Sequence, residues 1–102
     1  MIQITFTGSR GSIRSVKITG HAGYDRSGRD LVCAAVSSIG IGTLNALDEM
    51  VKDHCDLELS EDIKITVRQS DEKVQTILEV LDHQLMTIAL KYPQYVKITR
   101  KE

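Results

Sequence analysis

Residues 31–52 read LVCAAVSSIGIGTLNALDEMVK, and the stretch from Leu31 to Leu47 carries no charge at all. Val32, Val36, Ile39, Thr43 and Leu47 recur at helical spacing, and Asp30 or Ser27 stands just ahead as a candidate N-cap. The stretch is predicted as a helix from about 31 to 52. Ala34, Ser38, Gly42 and Ala46 form a second, small-residue stripe. Gly40 and Gly42 each cost about 1 kcal/mol relative to Ala inside a helix, so close packing, for instance against a second copy, is expected to offset them. The helix is accordingly expected to be buried on more than one side. Ser37, Ser38, Gly40, Gly42, Thr43 and Asn45 interrupt the run too often for a membrane span.

On either side of this helix the apolar period changes to two. Ile2, Ile4 and Phe6 alternate with Gln3, Thr5 and Thr7, Ile13 to Ile18 alternates again, and Gly8-Ser9-Arg10-Gly11 separates them as a turn. Cys55, Leu57 and Leu59, then Ile63, Ile65 and Val67, repeat the pattern around Ser60-Glu61-Asp62. Val74, Ile77, Leu78, Leu81, Leu85, Ile88 and Ala89 mark an amphipathic helix over about 71–91, closed by Pro93, and a strand follows around Val96 to Thr99. The order β-β-α-β-β-α-β predicts an α+β fold: a two-layer α/β sandwich with a largely antiparallel sheet and two helices on one face. A chain of 102 residues has room for a single domain, 1–102.

The net charge of -1 lacks the basic excess of a protein that lives on nucleic acid, so no direct nucleic-acid partner is expected. Residues 1–30 are nevertheless basic and the remainder acidic. Asp48, Glu49, Asp53, Asp56, Glu58, Glu61 and Asp62 face only Lys52 and Lys64 nearby, which reads first as a solvated strip and second as a surface for a basic partner. The N-terminus alternates like a strand and has no apolar signal core. A cytoplasmic protein without a membrane partner is expected.

Few residues could carry chemistry. Cys33 and Cys55 are expected as thiols, and neither sits in a CxxC or a zinc-ligand spacing, so no metal or other cofactor is expected. Cys55 alternates with Leu57 and Leu59 and reads as a core residue. His83 lies off its helix's apolar stripe and His54 lies among acidic residues, so both read as exposed. Cys33 differs, because it falls in the first turn of the predicted helix, where free N–H groups and the helix dipole favour an anion. His21 precedes it by 12 residues across the glycine-bearing loop GHAGYDRSGRD (20–30), short enough to fold back. A Cys–His pair can transfer the thiol proton, attack a carbonyl and protonate the leaving amine. Backbone N–H groups at or after Cys33 would supply the oxyanion hole. Asp30 reads either as the helix cap or as the group that orients His21, in preference to contact with sulfur. Ser37, one turn beyond Cys33, is a local hydrogen-bonding or packing residue.

The run Gly20-His21-Ala22-Gly23-Tyr24, Gly28, then Asp30-Leu31-Val32-Cys33-Ala34-Ala35-Val36-Ser37, resembles the signature of the bacterial ribosomal-processing cysteine proteases, the Prp family. Outside residues 20–37 the resemblance is one of length and element order. It implies Cys33 as nucleophile, His21 as base and acid, and Asp30 and Ser37 in supporting positions. It further implies a homodimer whose flexible substrate loop is Ala22 to Arg29, with Ala22, Gly23, Tyr24 and Gly28 as its signature residues. The implied substrate is the N-terminal peptide of a large-subunit ribosomal protein precursor, cut after an aromatic residue. Gly40 and Gly42 stand where larger helix formers are expected in relatives.

Two other classes compete. A small RNA-binding or ribosome-associated module would use Gly8-Ser9-Arg10-Gly11 as a backbone clamp, but that loop lies between strands and aromatic residues are few. A thiol redox protein would need Cys33 and Cys55 to meet across elements.

Overall fold

The computed structural model describes residues 1–26 and 30–102. Its elements are β1 (Ile2–Thr7), β2 (Ser15–Thr19), α1 (Leu31–Met50), β3 (Cys55–Leu59), β4 (Ile63–Val67), α2 (Glu72–Lys91) and β5 (Val96–Lys101). This is the order and the two-layer arrangement that the alternating and helical periods imply. The five strands lie in the order β3-β4-β2-β1-β5. Three of the four pairings are antiparallel, and β5 joins the edge parallel to β1.

Strand register decides which side chains meet the helices. Ile4 stands opposite Ile18, Phe6 opposite Val16, and Val16 opposite Ile65, so one face of the sheet is aliphatic. Ile2, Ile4, Phe6, Val16, Ile18, Ile63 and Ile65 are all buried there. From α2 the facing stripe is Val74, Leu78, Leu81 and Leu85, each a fully buried side chain worth about 1.5–3 kcal/mol. From α1 it is Val32, Val36, Thr43, Leu44 and Leu47. That helix is long and apolar enough to match a membrane span by length and composition, yet its buried stripe packs on the sheet.

The two glycines of α1 have different surroundings. A Cβ on Gly40 would lie 2.7 Å from Ile63 Cδ1 and 3.3 Å from Ile18 Cδ1, so Gly40 lets the helix approach the sheet closely. Gly42 meets nothing within 4 Å, and Ala34, Ser38 and Gly42 are exposed. Within the single chain α1 packs against both the sheet and α2, while the face bearing the small residues stays exposed. Ser38, Gly42 and Ala46 of the small-residue stripe line an open groove with Ile39, Met50, Ile77 and Val80.

Three polar groups are buried along the helices with their partners. Thr43 bonds back to the Ile39 carbonyl. Gln75 accepts from the Ile13 N–H at 2.8 Å and donates to the Ile13 carbonyl at 3.0 Å, pairing α2 with the β1–β2 connection as a strand would. Asp82, wholly buried, takes a two-pronged contact from Arg100 at 2.7 and 2.8 Å and a longer one from Arg10 at 3.4 Å. Arg100 also lies over the Phe6 ring. Burial pushes the Asp82 carboxyl up, but hydrogen bonding and charge from Arg100, then Arg10, outweigh it and hold the group below the usual carboxylate range.

Removing Arg100 leaves a buried charge with one long contact. Arg100→Ala is expected to cost about 2 kcal/mol in urea unfolding at neutral pH, discounted for the partly exposed guanidinium. Because the folded-state carboxyl titrates below its unfolded value, the contribution is complete above about pH 4 and is lost as pH falls through the folded value, so the wild-type and variant curves should converge in acid. Gly40→Val should lower the urea midpoint by the equivalent of about 2 kcal/mol, since the branched side chain enters space held by Ile63 and Ile18.

Candidate active site

The site begins where β2 ends. Gly20 turns the chain at φ +84, and a Cβ there would collide with the Met1 carbonyl oxygen, so only glycine fits. The chain then runs past His21 to Ala22, which is buried in the core. At that point the Ala22 N–H donates to Cys33 Sγ at 3.1 Å. A backbone amide thus faces the sulfur from the segment adjoining His21.

Asp30 organises the other side. Its backbone is extended, and its side-chain Oδ1 accepts from the Cys33 N–H at 2.9 Å, the N-cap geometry read from the sequence. Its Oδ2 accepts from the Tyr24 N–H at 3.0 Å and from the Asp25 N–H at 3.4 Å. Desolvation pushes the Asp30 carboxyl up, but the amides of Cys33, Asp25 and Tyr24, together with the Cys33 side chain, outweigh it and hold the group below the usual range. Of the two roles open to Asp30, capping is realised, joined to a second one as anchor of the 20–30 segment. Its hydrogen bonds all run to backbone N–H groups, so capping takes precedence over contact with the sulfur, as the sequence suggests.

The first two amides considered for an oxyanion hole are already engaged. The Cys33 N–H is taken by the Asp30 side chain and the Ala34 N–H by the Asp30 carbonyl at 3.0 Å. Both are used in closing the first turn of α1. The donor beside the sulfur comes from Ala22 instead, a contact between elements that helix periodicity cannot reveal.

Cys33 and His21 line one cleft of about 530 Å³ together with Gly23, Asp25, Asp30, Ala34 and Ser37. Cys33 is half-buried; His21, Ser37 and Gly23 are exposed. Ser37 lies one turn along α1 on the same side as Cys33. Of the loop residues, Gly28 lies outside the described residues, as do Ser27 and Arg29. Tyr24 packs edge-on against Tyr92 and Tyr95 at 5.6 and 5.2 Å between ring centres, so its ring ties the loop to the α2–β5 connection. Asp25 adds a second carboxylate to the cleft. Neither Asp25 nor the three-tyrosine cluster has a signal in sequence spacing, because Tyr24 and its partners lie far apart along the chain.

The remaining candidates fall elsewhere. Cys55 is half-buried against the core, and burial pushes its thiol up. It follows α1 while Cys33 opens it, so the two are separated by about 26 Å of helix, and both are free thiols. The redox reading has no geometry. His83 is exposed as expected, beside Glu79. His54 is not: it is half-buried, with Nε2 3.2 Å from the Asp71 carboxylate and Nδ1 3.1 Å from the Lys52 carbonyl. The preceding Asp53 adopts φ +68, which turns the chain so that the ring faces the N-cap of α2. Gly8 and Gly11 take positive φ in the β1–β2 connection, as a hairpin loop requires, and not between helices as a nucleic-acid clamp would.

Comparison with known proteins agrees with this arrangement. Residues 1–97 match the family model described as cysteine protease Prp. The ribosomal processing cysteine protease Prp of Bacillus subtilis is 30% identical over 108 residues, covering 97% of this chain and 96% of that protein. The protein of the same name from Staphylococcus aureus is 26% identical over 107 residues, covering 99% and 100%. A crystal structure of Prp from S. aureus with a covalently linked product peptide superposes with a TM-score of 0.89 at 25% identity, covering 99% of this chain and 100% of that one. With a thiol at a capped helix start, a histidine in the same cleft and a family match over nearly its whole length, this chain belongs to the Prp family of cysteine proteases.

Proposed function

We propose that the protein removes a short N-terminal extension from a large-subunit ribosomal protein precursor, cutting after an aromatic residue, with Cys33 as nucleophile and His21 as base and acid. The single observation that carries this reading is the shared cleft of Cys33 and His21, with a backbone amide on the sulfur. His21 takes the Cys33 proton as sulfur attacks the scissile carbonyl, then returns it to the leaving amine. A thioester links the N-terminal peptide to Cys33. Water, deprotonated by the same imidazole, then releases the peptide as its carboxylic acid.

The Ala22 N–H that faces the resting sulfur would donate to the tetrahedral oxygen, an interaction whose loss typically costs about 100 to 1000-fold in rate. Asp30 acts as a positioning residue, holding Cys33 and the Tyr24 segment in one frame. Gly23 and Tyr24, and Ser37 across the cleft, flank the peptide. The exposed groove along Ser38, Gly42 and Ala46 supports a homodimer in which a second copy covers it. A cytoplasmic location fits two free thiols and a ribosomal substrate.

Incubating the enzyme with an N-terminally extended ribosomal precursor should give a shortened product by mass, and Cys33→Ala or Cys33→Ser should abolish it while leaving the circular dichroism spectrum unchanged. Undiminished cleavage by either variant would remove Cys33 from the mechanism. Iodoacetamide at neutral pH should alkylate Cys33 faster than Cys55, whose thiol is pushed up by burial. Equal rates by peptide mapping would count against a thiol held ready in the cleft.

A further inference from the structure

The helices cover one face of the sheet and leave the other open. On that open face the strand register gathers Lys17, Lys64, Lys97 and Lys101, all exposed. Lys17 stands directly opposite Lys64 on the neighbouring strand, a like-charge cross-strand pair that is destabilising unless an anion lies between the ammonium groups. Lys97 and Lys101 stand opposite Gln3 and Thr7, on the far side of β1 from Lys17. Among the described residues, only Lys64 of the four has a carboxylate within ion-pair distance, Glu58 at 3.9 Å. The other outward acid of β3, Asp56, is already paired with Arg68 at 3.0 Å.

We propose that this open sheet face binds the phosphate backbone of double-helical nucleic acid without reading its sequence. From Lys17 to β5 is two strand spacings, about 10 Å, and from Lys97 to Lys101 about 13 Å along the strand, so the charges form a rigid two-dimensional array. Such an array is wider than one extended acidic peptide and suits phosphates on two strands. Threonine and serine hydroxyls lie between the lysines in a shallow depression that includes Thr5, Ser15 and Thr66. Among the described residues, no aromatic ring from the strands lies on this face to stack on an unpaired base, and no large apolar side chain from β1, β2 or β5 lies there to enter a lipid layer. The near-neutral net charge conceals the patch because it averages over the whole surface, whereas strand alternation sorts lysines to one side. The inference is independent of the cleavage chemistry, since none of these residues lines the cleft.

Fluorescence anisotropy with a labelled RNA duplex of about 20 base pairs, titrated between about 50 and 200 mM KCl, tests it. The expected plot of log affinity against log salt has a slope near about -3, the value for three to four neutralised phosphates, and is the same for two unrelated sequences. The triple variant Lys17→Gln, Lys97→Gln, Lys101→Gln should bind at least about tenfold more weakly at low salt with a slope reduced by two or more, about one for each phosphate no longer neutralised, while its melting temperature without nucleic acid does not fall, because the Lys17–Lys64 repulsion is relieved, and its short-peptide hydrolysis stays unchanged. Absent or salt-insensitive binding, an unchanged triple variant, or equal or tighter binding to polyglutamate or phosphatidylserine vesicles would overturn the proposal.

Discussion

The carboxylate of Asp30 is the point through which the site is assembled. One oxygen closes the first turn of α1 on the Cys33 N–H, and the other holds the Tyr24 and Asp25 amides. A single side chain therefore fixes both the helix that carries the sulfur and the segment that carries the histidine. The same frame brings the Ala22 N–H onto the Cys33 sulfur, where a backbone donor favours a thiolate. The Cys33 and Ala34 amides of the first turn are used to build the frame, and the amide that meets the sulfur comes from the preceding loop.

That frame rests on a sandwich with one polar anchor at the opposite end of the sheet. Asp82 and Arg100 join α2 to β5 and, through Arg10, to the β1–β2 connection. Gln75 makes a second tie from α2 to Ile13. These contacts set how α2 lies on the sheet, and with it where the α2–β5 connection presents Tyr92 and Tyr95 to Tyr24. A mostly aliphatic interface is non-directional; directional polar contacts at its rim give it one orientation.

The two faces of the sheet have separate consequences. The inner face is aliphatic and shared with the helices, and it permits the close approach at Gly40. The outer face is polar, and among the described residues only Lys64 of its four lysines has a carboxylate partner. Because antiparallel strands place directly opposed residues on the same side, a pattern of single lysines in separate strands becomes a patch only when the strands are laid together.

How much of this was legible in the sequence follows from which interactions are local. The period-two runs and helical stripes gave the seven elements, since alternation and 3.6-residue repeats are properties of short segments. The Asp30 cap and the first-turn position of Cys33 were equally legible, because a cap and its amide lie three residues apart. What covers each helix face was not: Gly40 proved to meet the sheet and Gly42 open space, a difference of two residues decided by the rotation of α1 against β4 and β2. The turn of His54 toward Asp71, the Ala22 amide on the sulfur and the burial of Asp82 against Arg100 all join residues distant in the chain. The sequence by itself determined the elements and the residues able to do chemistry; only tertiary structure decided which amide meets the sulfur and which charges are left unpaired, because those depend on register and helix rotation that no single segment encodes.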